Sequence, residues 1–366
     1  MSTNTAPRAN PWLDDLEAYV PGKHGRRGEA NIIRLSSNEC AQGPSPKAVD
    51  AAKRLTGQMH RYADGAATGL REAIAEKHDL DPSRILCGTG SDEILQLCPL
   101  AFCAPGDEVI HTQYGFMVYA LSARRAGAVP VSVPEVNFTA DVDAILAAVT
   151  QKTRIVYLAN PNNPTGTRLP TSEIERLHAG LPSDVLLVLD GAYAEYIEDP
   201  SYDAGLALAK SASNVLMTRT FSKLYGLAAE RIGWGYGAPA LIEPLNKIRA
   251  PFNVTGAGQA AAIASLGDDD WVAYVRSENV KWRSILMEGL TQLGLRPVPG
   301  DANFILTQCR SADEAARINA ALMDRSIYVR HLPSMGLADC LRISVGNGDE
   351  TSAILAALGD ILKAAA

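Results

Sequence analysis

Four short stretches of this 366-residue chain carry side chains whose types could do chemistry together. RTFSKLYGLAAERIG (219–233) sets Lys223 at the end of an apolar run, between Ser222 and Leu224, with Arg231 eight residues on. A lysine is rarely buried without a partner, so its placement asks for a reason. GTGSDE (88–93) reads as a glycine turn opening a helix, where backbone N–H groups can cradle a phosphate. NPNNPTG (160–166) offers asparagines, and DGAY (190–193) offers a carboxylate and a phenol. Each stretch alone has an ordinary reading: a strand-to-helix turn, a turn-forming loop, a helix cap, a lysine snorkelling at the surface. Together and in this order, each directly after an apolar run, they read better as parts of one site.

The runs that must position them are RILCGTG (84–90), DEVIH (107–111), VPVSV (129–133), RIVYLAN (154–160), DVLLVLD (184–190) and NVLMTRT (214–220). The last three are short, rich in branched residues and nearly continuous, as strands buried on both faces are, and such sheets are mostly parallel. Helical stretches alternate with them: SDEILQLCPLAF (91–102), with Ser91 or Asp92 in the cap position, FMVYALSARRAG (116–127) and DVDAILAAV (141–149). That alternation predicts an α/β fold with helices on both faces of the sheet. Ligands of open parallel sheets bind beyond the carboxyl ends of the strands, where all four stretches fall. The residues after Lys223 read as helix-like. Beyond residue 255 one long helical stretch (258–294) leads to NFILT (303–307), IYVRHL (327–332) and CLRISVG (340–346), which predicts a smaller α+β domain with its boundary near residue 250.

Composition narrows the classes of function. With 47% hydrophobic residues the chain can bury a large core and more than one domain. Net charge is −7 with no long basic run, so nucleic acid is not an expected partner. No apolar stretch reaches membrane-spanning length. The opening MSTNTAPRANPW lacks the apolar core of a signal peptide, which points to the cytoplasm. Cys40, Cys87, Cys98, Cys103, Cys309 and Cys340 are scattered without a CxxC pair and read as reduced thiols. The six histidines show no HExxH spacing, so no metal is expected. No GxGxxG follows a strand, which disfavours a nicotinamide dehydrogenase.

NPNNPTG, DGAYAEY and TRTFSKLYGLAAERIGW, in this order, resemble the fold-type I pyridoxal-5′-phosphate enzymes of the class I/II aminotransferases, and within them the histidinol-phosphate aminotransferase family. The resemblance runs from LSSNECAQGPSPKAVDAA to CLRISVG. It implies a mostly parallel central sheet and a smaller α+β domain, with residues 1–60 as an N-terminal arm and part of the small domain, 61–250 as the cofactor domain and 251–366 as the small domain. Lys223 matches the lysine that holds the aldehyde cofactor covalently and later moves a proton, because only a primary amine does both. Thr220, Ser222, Arg231, Ser91 and the amides around Gly90 and Asp92 match the ligands of the cofactor phosphate. Asp190 matches the carboxylate facing the pyridine nitrogen, and Tyr193 and Asn163 the groups on the phenolic oxygen. Tyr114 falls where the family stacks an aromatic on the ring. Tyr62 matches a tyrosine that crosses a dimer interface, so a homodimer is implied. Arg342 and Arg330 match arginines for the substrate anion, with Asn38 in the segment near the substrate. The implied partners are an amino donor and a 2-oxo acid.

Several positions depart from the family pattern. Cys40 and Ala41 stand where an Asn-Pro pair is common, Gln42 replaces a leucine, Ala63 replaces the proline after Tyr62, and Gly191 replaces the glutamate after Asp190. The first group lies near the substrate and leaves specificity open. An aromatic amino acid aminotransferase would share every cofactor residue. A decarboxylase of the same fold, acting on a phosphothreonine-like compound, is a further alternative. A non-catalytic cofactor-binding module would want an N-terminal DNA-binding domain, and only a short polar arm precedes the family region.

Overall fold

The computed structural model describes residues 7–14, 25, 28–29 and 31–364, so most of the N-terminal arm lies outside the described residues. Its centre is a seven-stranded sheet: β1 (Ile85–Gly88), β2 (Glu108–Thr112), β3 (Val129–Val133), β4 (Thr153–Ala159), β5 (Leu186–Asp190), β6 (Val215–Thr220) and β7 (Gly233–Gly237). The spatial order is β1-β7-β6-β5-β4-β2-β3, and β7 alone runs antiparallel to its neighbours. Successive residues of the central strands serve opposite faces. Leu186 and Val188 of β5 join one buried core, Leu187 and Leu189 the other, and β4 divides Tyr157 from Leu158 in the same way. Two apolar faces leave no polar positions along these strands, which is why their sequences run without alternation.

The second core lies around a four-stranded antiparallel sheet, β8 (Arg296–Pro297), β9 (Phe304–Gln308), β10 (Arg330–Leu332) and β11 (Leu337–Ser344), in the order β8-β9-β11-β10. Chain from near the N-terminus joins it: Ile33 and Arg34 pair in parallel with Ile327 and Tyr328, and Leu35 enters that core. The long helical stretch divides at Gly267 into helices Gly256–Leu266 and Asp269–Gln292. The second of these changes cores along its length, with Val275 in the large core and Leu286 and Leu290 in the small one. The handover therefore falls inside a helix, further along the chain than the boundary expected near 250.

Two local expectations give way. The run IYVRHL is split between Ile327–Tyr328 and β10. The residues after Lys223 form no α-helix; they turn at Gly226 and make one short 3₁₀ turn, Ala228–Glu230. Gly226 has φ +70°, and a Cβ there would stand 2.6 Å from the carbonyl of Gly43, so the chain must fold back at this point.

Candidate active site

Strand register gathers the four stretches at one edge of the large sheet. Asp190 pairs with Ala159 and Thr218, while Gly233 at the start of β7 lies between Gly88 of β1 and Thr220 of β6. Because β7 runs the other way, its entry brings Arg231 to the edge where the parallel strands end. A cavity of about 400 Å³ opens there between the two cores. Gly90, Ser91, Asp92, Asn163, Asp190, Tyr193, Thr220, Ser222, Lys223, Arg231, Arg330, Arg342 and Asn38 all line it.

At one end is a place for an anion. Helix Ser91–Phe102 begins after Gly90 at φ +81°, which takes the cap position expected of Ser91 or Asp92 and offers no side-chain cap. The first amides of the helix, with their partial positive charge, are thus left for a ligand. Arg231 bends over this turn. Its Nη1 donates to Ser222 Oγ at 3.2 Å, and a Cβ on Gly90 would stand 2.9 Å from its Nη2. Thr220 Oγ1 accepts from the Ser222 amide at 3.1 Å, which fixes both hydroxyls beside the arginine. Asp92 also faces the cavity; burial raises its pKa, opposed by Arg231 and by a bond from Gln96.

At the centre stand the amine and the carboxylate. Lys223 is the one lysine among the described residues that lines the cavity. Its Nζ donates to the Ser37 carbonyl at 3.2 Å and lies 5.8 Å from the centre of the Tyr193 ring. Burial, with Arg342 and Arg231 nearby, lowers its pKa from 10.5 to about 8. Asp190 is buried at the end of β5 and accepts from Tyr119 Oη at 2.8 Å, the Ala192 amide at 3.2 Å and Thr218 Oγ1 at 3.4 Å. Burial raises the Asp190 pKa, and these three donors hold it down. Tyr119 is itself fixed by stacking on Tyr157 at 4.6 Å.

The small domain supplies the other end. Arg330 and Arg342 are direct partners across β10 and β11, so both guanidinium groups leave the same face of that sheet. Arg342 donates to Asn163 Oδ1 and to the Ser36 carbonyl, both at 2.6 Å, and its guanidinium lies 5.4 Å from the centre of the Phe304 ring. Asn163, expected beside Tyr193 on a phenolic oxygen, lines the cavity and gives its Oδ1 to the arginine. The partner of Tyr193 is Asn38, whose Nδ2 donates to the phenol at 3.0 Å and whose Oδ1 accepts from Ser344 Oγ at 3.1 Å. Asn38, expected at the substrate, positions the phenol.

Tyr114 lies elsewhere, and Tyr62, expected at a dimer interface, is not expected to line its own cavity. Tyr114 does not line the cavity; its ring packs on Phe138 at 5.9 Å, beside the small-domain turn at Gly336. Gly115 separates it from Phe116, which does line the cavity and meets Tyr119 edge-on at 5.9 Å. The aromatic side chains that line the cavity are Phe116, Tyr119 and Tyr193. Tyr62 is 84% exposed and stacks on Phe252 at 4.5 Å, away from this cavity. Sequence reasoning missed Phe116, Tyr119 and Ser37. The first two were legible only as apolar members of a helix. Ser37 acts through its backbone, which no side-chain pattern reveals.

An anion cradle closed by glycine, an enclosed amine of lowered pKa and a buried carboxylate with no ion-pair partner among the described residues suit a planar aldehyde with a phosphate tail. The model for aminotransferase class I and II matches residues 30–358. The chain belongs to this family. The histidinol-phosphate aminotransferase of Erythrobacter litoralis is 49% identical, over 99% of this chain and all of that one. That of Ruegeria pomeroyi is 50% identical over 92% of this chain and 93% of its own. Among solved structures, histidinol-phosphate aminotransferase from Sinorhizobium meliloti, in complex with pyridoxal-5′-phosphate, superposes with a TM-score of 0.92 at 31% identity, covering both chains fully. No helix among the described residues of this aminotransferase is long and apolar enough to cross a membrane.

Proposed function

We propose that this protein is a pyridoxal-phosphate-dependent aminotransferase that passes the amino group of histidinol phosphate to 2-oxoglutarate, in histidine biosynthesis in the cytoplasm. The observation that carries the substrate is the pair Arg330 and Arg342, opposed across two strands at the cavity. Two guanidinium groups suit a phosphate ester, whose charge and three free oxygens exceed those of a carboxylate. The near-full-length likeness to histidinol-phosphate aminotransferases supports the same reading.

When bound, pyridoxal phosphate supplies an aldehyde carbon that takes up the amino group and a ring that delocalises the electron pair left at the amine-bearing carbon. The Gly90–Asp92 amides, Thr220, Ser222 and Arg231 would hold its phosphate, Asp190 its pyridine nitrogen and Tyr193 its phenolic oxygen. Lys223, whose pKa burial lowers to about 8, loses its proton far more readily than a surface lysine and so serves as nucleophile and proton carrier. Its hydrogen bond to the Ser37 carbonyl holds Nζ inside the cavity. Asp190, ionised, would favour a proton on the ring nitrogen it holds, and its three donors favour that ionised form. Arg342 orients the anionic arm of either substrate, and Asn163 and Ser36 hold that arginine still.

A homodimer with shared sites fits the surface around Tyr62. Tyr62 and the Phe252 ring it stacks on are 84% and 48% exposed, and Met59, three residues before Tyr62 in the chain, is 80% exposed. Such apolar side chains gathered at a surface mark an interface.

The test is a donor screen of purified enzyme with 2-oxoglutarate, comparing histidinol phosphate, phenylalanine and tyrosine. Preference for histidinol phosphate is expected. Outright preference for phenylalanine would replace this reading with an aromatic aminotransferase, and absence of turnover with every donor would favour the non-catalytic module. A charge-assisted hydrogen bond contributes roughly 1.5–3 kcal/mol, so Arg330→Ala should lower kcat/KM for histidinol phosphate about ten- to a hundred-fold, with a clearly smaller loss for phenylalanine. Equal losses would remove the phosphate from Arg330.

A further inference from the structure

The substrate cavity has two kinds of wall. Lys223 and Asp190 stand on the large domain, with Phe116, Met117, Val118 and Leu121 as its apolar members near them. The small domain contributes four side chains from the region after residue 300: Arg330, Arg342, Leu332 and Met335. The arginines account for an anion. The two apolar side chains offer the same cavity a wall without charge.

Leu332 is 3% exposed and is held in the local apolar cluster with Val298, Leu306, Leu337 and Cys340. Met335 only packs against that cluster and keeps surface to give to a ligand. Its placement is well fixed. The β10–β11 register shifts between His331 and Leu332, which turns the chain out of the strand. A single 3₁₀ turn, Pro333–Met335, then closes on Gly336 at φ +73°, with the Gly336 amide donating to the Pro333 carbonyl at 3.2 Å. Tyr114 and Phe138 pack on this cluster too, and the Tyr114 ring lies beside Gly336. Tyr114 therefore supports the turn that presents Met335.

We infer that Met335 is a specificity-determining residue: with Phe116, which lines the same cavity from the large domain, it forms the surface that receives a planar ring on the donor's second arm, while Arg342 and Arg330 take the anionic arm. This rests on the aminotransferase reading above. Histidinol phosphate and phenylalanine both have a ring arm and an anionic arm on the amine-bearing carbon. Glutamate has no ring; its second arm ends in a carboxylate. Methionine suits a ring because its thioether is polarizable and its side chain adapts. Loss of a few methylenes from an apolar pocket changes discrimination by about ten-fold or more.

The experiment measures the half-reactions of wild type, Met335→Leu, Met335→Ala and Met335→Gln separately, by the absorbance of the bound cofactor, with histidinol phosphate, phenylalanine and glutamate. Melting temperature and cofactor content check that each variant is folded and loaded. Met335→Ala and Met335→Gln should lower kcat/KM for both ring donors about ten-fold, chiefly through KM, and for glutamate by at most about two-fold. Met335→Leu, which keeps volume and apolarity, should restore most of the loss. Equal losses for all three donors, or no loss for the ring donors, in variants of an active wild type would overturn the role of Met335 and leave the aminotransferase reading intact. A wild type that takes glutamate and neither ring donor would overturn both the role of Met335 and histidinol phosphate as the substrate, while leaving an aminotransferase.

Discussion

Lys223 shows how a single residue's environment sets its chemistry. An amine with a pKa of about 8 reacts with an aldehyde at pH values where a surface lysine stays protonated. Reductive labelling of the cofactor-free enzyme with an aldehyde should therefore mark Lys223 first, with a midpoint near pH 8. Burial is the larger cause and the two arginines add to it, so Arg342→Gln should move that midpoint upward. A midpoint near that of an ordinary lysine would contradict the enclosure seen here. Asp190 works in the opposite sense. Tyr119 lowers its pKa against the effect of burial, so Tyr119→Phe should raise it and shift the acid limb of kcat/KM to higher pH. The lost bond, made to a charged carboxylate, is worth roughly 1.5–3 kcal/mol, about ten- to a hundred-fold in rate where that limb controls. An unmoved acid limb would mean that the phenol does not act on Asp190. Lys223, Asp190, Arg231 and Arg342 could be picked out in the sequence because charged side chains at the ends of apolar runs are conspicuous. Tyr119 and Phe116 could not: both fall in a stretch whose sequence reads as a core-facing helix, although the helix begins only at Val118 and Phe116 precedes it.

Among the elements, the parallel strands were legible because burial on both faces writes itself as unbroken apolar runs. β7 was not. It is GWGYG, and glycine is depleted in strands, so no propensity or period marks it. Its glycines have a structural cause: a Cβ at Gly233 would stand 2.0 Å from the Ser91 amide, and one at Gly235 3.3 Å from Ile94. Helix Ser91–Phe102 packs on this strand, and that contact is what sets its amino end over the cavity. The same logic applies to Gly90. Its φ of +81° is strained for any other residue, and an added methyl would meet Arg231 Nη2. Gly90→Ala should therefore displace the arginine from the anion cradle. Loss of one charge-assisted bond corresponds to roughly ten- to a hundred-fold weaker cofactor binding, measurable by dialysis and fluorescence. Thermal stability of the cofactor-free protein should fall much less than that of the loaded protein. Unchanged cofactor affinity would place the phosphate elsewhere.

At the scale of the molecule, the two-core arrangement was legible, while the point of handover was not. Helix Asp269–Gln292 serves both cores along one continuous face, and its sequence gives no break between Val275 and Leu286 for composition to find. A single chain also leaves Tyr62 without a function: exposed, stacked on Phe252, and remote from its own cavity. In the proposed dimer that tyrosine reaches the cofactor phosphate of the other subunit. Lys223→Ala then destroys its own site and keeps a sound Tyr62 for the partner, whereas Tyr62→Ala keeps a sound lysine and deprives the partner. A mixed dimer has one site with both residues intact and one with neither. Random exchange makes about half of all dimers mixed, so a blend of the two variants should recover roughly a quarter of wild-type activity, well above the two variants kept apart. Subunit exchange would be verified by mass-tagged chains in native mass spectrometry. If exchange is complete and activity stays at the level of the separate variants, Tyr62 serves its own subunit, and the exposed patch around it must be explained by something other than a shared site.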